Sequence, residues 1–148
     1  MRRKKRPADG SSSGTKDPPD PHRLKLSVII VTFNRVDDVN LTLSLLQDQD
    51  TDFELVLVDN GSTAGGEINL EGWRDAHLIR FDANRGVAAG RNAGIRLATG
   101  DILVFLDDDA SFVCSGTLSR IRERFREDRG LGILAADSRI YPSGDIEV

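Results

Sequence analysis

From Leu24 onward, short apolar runs alternate with stretches of helical periodicity. Leu26-Ser27-Val28-Ile29-Ile30-Val31 is rich in β-branched residues and predicts a buried strand. Asn34 has the chemistry of a helix cap, with Asp37 and Asp38 in the first turn behind it. Val36, Val39, Leu43 and Leu46 then form one apolar stripe, which predicts an amphipathic helix. Glu54 to Val58 predicts a second strand that ends at the turn Asp59-Asn60-Gly61-Ser62. Ala76 to Phe81 predicts a shorter, more peripheral strand, and residues 86–98 a helix. Ile102 to Leu106 is an unbroken apolar run after the turn signal Thr99-Gly100-Asp101, and predicts a fourth, buried strand. Residues 115–127 predict a helix with Leu118, Ile121 and Phe125 inward, and Leu131 to Ala136 a further strand.

Strands alternating with helices imply right-handed crossovers and a mainly parallel sheet with helices on both faces. In such sheets ligands bind beyond the carboxyl ends of the strands. Polar clusters fall at those ends: Thr32-Phe33-Asn34, Asp59-Asn60 and Asp107-Asp108-Asp109. Three carboxylates at the exit of a strand repel one another and cost solvation energy, which a cation would relieve. Alternation along an extended chain would send Asp107 and Asp109 to one side and Asp108 to the other. Two carboxylates on one side suit a hard divalent ion that keeps positions open for phosphate oxygens. The plainer reading is a solvated loop with one Asp capping the next helix.

Gly86, Gly90 and Gly94 recur every four residues and make one helix face without side chains. Close packing on the sheet accounts for Gly90 and Gly94, whereas Gly86 stands where a helix N-terminus could meet a phosphate. Arg85 and Arg91 flank that start and could reach a diphosphate or a base; Arg96 lies further along and reads as exposed. Neither a dinucleotide G-x-G-x-x-G after the first strand nor a P-loop is present. His22 and His77 have no partners at metal-ligand spacing, and Trp73 reads as a loop anchor.

The length of 148 residues suits one domain, and 39% hydrophobic content suffices for a core. Net charge is −4 but unevenly spread: residues 1–23 carry +4 and residues 24–148 carry −8. The acidic body argues against nucleic-acid binding. Cys114, the single cysteine, excludes an internal disulfide, fits a reducing, cytoplasmic setting and reads as a small buried hydrophobe. No apolar run reaches bilayer-spanning length. The segment 1–23, basic and then rich in Pro, Gly and Ser, has too little to bury and predicts disorder. Its Arg2-Arg3-Lys4-Lys5-Arg6 cluster could touch anionic lipid at the inner face of a membrane, although a solvated tail is the simpler reading.

These residues converge on a family. Val28 to Arg35 resembles the opening strand of family 2 glycosyltransferases, Val58 to Ser62 their second motif, and Asn84 to Asn92 their third. Gly100 to Asp109 resembles their D-x-D strand, and Ser138 to Asp145 is similar to a hairpin of the rhamnosyltransferase-like branch. Four motifs in one order are far more specific than any one alone.

The resemblance implies a GT-A fold, a nucleoside-diphosphate sugar donor and a glycan or lipid-linked acceptor. Thr32 and Asn34 would line the nucleoside site, Asp59 would hydrogen-bond the base, and Gly86 and Arg91 would lie near the nucleotide. Asp107 and Asp109 would sit at a Mg2+ or Mn2+ ion bridging the diphosphate. Members of the family continue past this point, and their second half supplies the acceptor site and the general base for inverting transfer. Asp137 and Asp145 are the late Asp residues here, and neither stands in the base motif. The expectation is therefore a donor site in an incomplete, C-terminally truncated GT-A domain over residues 24–148. Set against it is a non-catalytic remnant that binds nucleotide-sugar or a partner only. A nucleotidyltransferase would favour a Gly-rich, Arg/Lys-bearing loop right after the first strand, which Thr32-Phe33-Asn34-Arg35 is not.

Overall fold

The computed structural model describes residues 24–136. The element order is β1 (Leu26–Thr32), α1 (Val36–Leu46), β2 (Glu54–Asp59), β3 (Ala76–Arg80), α2 (Val87–Leu97), β4 (Ile102–Asp107) and α3 (Thr117–Glu127). The strands form one sheet in the order β3-β2-β1-β4, and every pairing is parallel. β1 is central and apolar on both faces, as a strand buried on both sides must be.

The two sides of β1 meet different helices. Leu26, Val28 and Ile30 join Val39, Leu43 and Leu46 of α1 and Leu118 of α3 in one core cluster. Ile29 and Val31 face α2, whose Gly94 and Gly90 would place a Cβ 2.5 Å and 2.6 Å from their side chains. Only a helix without side chains on that face can approach so closely. The result is a three-layer α/β/α unit, with α1 and α3 on one face and α2 on the other.

β1, β2 and β3 step in one direction, and the connection through α2 then carries β4 to the other side of β1. The chain therefore diverges between β1 and β4. At such a switch point a crevice opens outside the carboxyl ends of the strands.

Four expectations fail here. Asn34 does not cap α1: Arg35 occupies that position, and Asn34 has a left-handed φ of 56°. Its side-chain oxygen instead accepts from the Thr63 and Ala64 amides at 2.8 and 3.2 Å. β4 is an edge strand among the described residues rather than a buried one, and Phe105 is 45% exposed. Residues 131–136 form no strand, and Ile133 is 86% exposed. Cys114 is exposed, not buried, and its thiol is shifted below its usual value mainly by a hydrogen bond with Thr117. The predicted hairpin, the basic tail, His22, Asp137 and Asp145 lie outside the described residues. No helix among the described residues is long and apolar enough to cross a membrane.

Candidate functional site at the carboxyl ends of the strands

The switch point is closed by one buried contact. Thr32, the last residue of β1, donates its hydroxyl to Asp108 at 2.8 Å. Asp108 is 8% exposed, and its backbone oxygen also accepts from Thr42 on α1. Burial pushes the Asp108 carboxyl above its ordinary range, against the lowering effects of the Thr32 bond and the Arg35 charge. Asp108 is thus built into the base of the crevice.

Its two neighbours are held differently. Asp107 pairs with Val31 in the β1–β4 register, which turns it to the α2 face. There its Oδ1 meets Arg91 at 3.1 Å. The strand stops at Asp107 and a turn begins, with the Ala110 amide bonded to the Asp107 carbonyl at 3.2 Å. Alternation therefore does not extend to Asp109. That residue bonds to Arg35 at 2.9 Å, and Asp108 lies 3.6 Å from the same guanidinium. Asp107 is thus drawn towards α2, and Asp108 and Asp109 towards the start of α1, which differs from the predicted pairing of Asp107 with Asp109. Arg35 is a site residue that the sequence pattern does not single out. Its spacing of three from Asp38, to which it also bonds at 2.9 Å, is the one local signal.

The loop after β2 lies alongside. The Asp59 Oδ1 accepts the Ser62 amide at 2.9 Å, and its Oδ2 lies 4.0 Å from Arg80. The Ser62 hydroxyl accepts the Asn34 amide at 2.9 Å, so the β1 and β2 loops are stitched together. A hollow of about 200 Å³ beside them is lined by Val36, Asp59, Ser62, Thr63 and Arg80, among others. Gly86 stands at the start of α2 with a φ of 83° and open space where a Cβ would be. The structure thus gathers Thr32, Asn34, Asp59, Gly86, Arg91, Asp107 and Asp109 at one edge of the sheet, and adds Arg35 and Asn60.

The opposite edge has its own polar cluster. Glu54, Asp75 and His77 bring ligand atoms within 4.8 Å of one another, so pairing of β2 with β3 gives His77 partners that its sequence spacing hid. Lys25 lies 3.8 Å from Glu54 and 3.6 Å from Asp75, and an ammonium already supplies the positive charge there. Glu54 is fully engaged by Ser27 and Thr99. A larger hollow of about 630 Å³ at this end is lined by Lys25, Phe53, Trp73 and Asp75, among others. Trp73 meets Phe53 edge-on at 5.6 Å, consistent with its reading as a loop anchor. Size does not decide between the hollows; parallel sheets bind ligands at the other end.

The sequence model of glycosyl transferase family 2 matches residues 27–144. The chain belongs to that family. An uncharacterized glycosyltransferase of Bacillus subtilis, YfnE, is 45% identical over an alignment of 91 residues, and the match covers 58% of this chain and 23% of that protein. The GalNAc(5)-diNAcBac-PP-undecaprenol beta-1,3-glucosyltransferase of Campylobacter jejuni is 33% identical over an alignment of 111 residues, and the match covers 70% of this chain and 35% of that one. Among solved structures, Staphylococcus aureus TarS superposes with a TM-score of 0.63 at 28% identity, covering 70% of this chain and 20% of its own. The mannosyltransferase PcManGT of Pyrobaculum calidifontis, in complex with GDP-Man and Mn2+, gives 0.61 at 31%, covering 70% and 34%. The family 2 chain therefore has the GT-A-type α/β fold, and it spans between a fifth and about a third of the length of these relatives.

Proposed function

We propose that this family 2 chain binds a nucleoside-diphosphate sugar with a divalent cation, as the donor half of an inverting glycosyltransferase. The observation that carries the reading is the meeting of exposed carboxylates with basic side chains at the β1/β4 switch point. Asp107 is 71% exposed and only its Oδ1 meets Arg91, so a hydrated cation can approach it. Asp107 and Asp109 offer hard oxygen donors, the chemistry that Mg2+ or Mn2+ takes while keeping positions for phosphate oxygens. The mannosyltransferase neighbour, solved with both GDP-Man and Mn2+, supports the same pairing of nucleotide sugar and metal.

Each residue has a role in this reading. Asp59 accepts hydrogen bonds from the base, with Thr32 and Asn34 shaping the nucleoside site. Arg91 balances the carboxylates before the donor arrives and faces phosphate afterwards, and Gly86 keeps the start of α2 open to the nucleotide. A bound cation would neutralise the charge that grows on the diphosphate as it leaves. The acceptor is a glycan or a lipid-linked sugar, in keeping with the undecaprenol-linked substrate in the name of the Campylobacter relative. The basic cluster at residues 2–6 would hold the protein at anionic lipid on the inner face of a membrane. Co-sedimentation with phosphatidylserine vesicles at low salt, with release at high salt, tests that part.

The donor site is tested by titrating UDP and GDP calorimetrically with and without Mn2+. Binding should require the metal and should vanish in Asp107→Asn and Asp109→Asn. No heat in any condition, or binding indifferent to Mn2+, would overturn the reading.

A further inference from the structure

Asn60 carries none of the roles above, yet it is a buried polar residue beside the site, 3% exposed. Its backbone amide bonds to the Thr32 carbonyl at 2.8 Å, which fixes the residue to the end of β1. Its side chain reaches the other way. The Asn60 Nδ2 donates to the Asn84 Oδ1 at 3.0 Å, and the Asn60 Oδ1 accepts the Arg85 amide at 2.9 Å. Asn84 Oδ1 accepts the Gly86 amide as well, at 2.8 Å. One buried amide therefore links β1 to the three residues that lead into α2.

The neighbouring residue tightens the same joint. Gly61 has a φ of 83°, and a Cβ there would lie 2.4 Å from the Ala83 backbone. The two loops touch backbone to backbone, with no room for a compensating side chain. α2 itself begins with no side-chain cap and no acidic residue in its first turn. Its starting position is thus set from outside the helix, and Arg91, on the following turn, inherits that position opposite Asp107.

We infer that Asn60 is a positioning residue for the donor site. It clamps the Asn84–Gly86 turn so that α2 presents Arg91 to Asp107 and to the phosphates. It acts through Arg91, by way of the turn, rather than by touching the ligand. Asn suits this position because the joint needs a donor and an acceptor on one short side chain. Aspartate at this position would keep the acceptor for Arg85 but set oxygen against oxygen at Asn84.

The inference rests on the donor-site reading, and its test separates the two. In the full chain, Asn60→Ala should speed hydrogen exchange at the Arg85 and Gly86 amides by about tenfold or more while β1 amides keep their protection. Asn60→Asp, which preserves size, should expose Gly86 more than Arg85. Both variants should raise the Kd for UDP or GDP with Mn2+ by about tenfold. In an Arg91→Ala background the same substitutions should change Kd by less than about twofold, because their route to the ligand is already cut. A merely structural residue would lower the melting temperature and leave the Kd of the folded protein unchanged. Unchanged exchange at Arg85 and Gly86 overturns the clamp whatever the ligand data say. An unchanged Kd, or an equal effect in both backgrounds, overturns its role in binding. A wild-type protein that binds neither nucleotide overturns the donor-site reading and that role together, while the exchange result still decides the clamp.

Discussion

At the scale of single residues, the clearest contrast is between two buried carboxylates shifted in opposite directions. Burial favours the protonated form of both. At Glu54 it is outweighed by hydrogen bonds from Ser27 and Thr99 and by the Lys25 charge, so the carboxyl lies below its ordinary range. At Asp108 burial prevails over the Thr32 bond and Arg35, and the carboxyl lies above that range. A carboxylate with a lowered folded value stabilises the fold above its ordinary value and loses that contribution as pH falls through the folded one. Glu54→Gln should therefore cost about 2 kcal/mol at neutral pH, and the gap to wild type should close as pH falls from about 4.3. Urea unfolding at several pH values checks this; a gap constant with pH would contradict it. Thr32→Val removes a bond that lowers Asp108, so the Asp108 titration followed by carboxyl NMR should move further up. A midpoint unchanged or lowered would show that the Thr32 hydroxyl does not stabilise the charged form.

At the scale of elements, the glycines of α2 determine how near that helix lies to the sheet. A Cβ at Gly94 would lie 2.5 Å from the Cγ2 of Ile29, a β-branched side chain with little freedom to turn away. Overpacking of this kind costs about 1–3 kcal/mol, whereas alanine recovers about 1 kcal/mol of helix propensity. Gly94→Ala should therefore lower the urea midpoint, and an unchanged or higher midpoint would refute the close packing. The four-residue spacing of those glycines was legible in the sequence, as were the four strands and three helices of the described residues, because each carries its own pattern. What was not legible depended on distant partners. Asn34 has the chemistry of a helix cap, but amides 29 and 30 residues later take its oxygen. Leu131 to Ala136 has a strand's composition, yet no described strand pairs with it. The D-x-D pattern pointed to the carboxyl end of β4, but alternation misplaced its side chains, since the chain turns at Asp108. Arg35 and Asn60 act through contacts that only the assembled sheet edge brings about.

At the scale of the whole molecule, the sheet keeps two polar systems apart. Glu54 and its partners brace the amino ends of the strands, and the Asp107–Asp109 turn lies at the carboxyl ends. The central strand Leu26–Thr32 spans about 20 Å between them. Sites so far apart and without shared partners should behave additively. Glu54→Gln should lower stability and leave nucleotide affinity alone, whereas Asp107→Asn should remove affinity with little change in the melting temperature of the ligand-free protein.

The most direct measurement is isothermal titration of the full chain with UDP and with GDP, in Mn2+ and in a chelator. Saturable binding of a nucleoside diphosphate that needs Mn2+, and that Asp107→Asn and Asp109→Asn both remove, is the predicted result. Equal binding with and without the metal, or binding that survives both substitutions, would contradict the assignment of this sheet edge as a metal-assisted donor site.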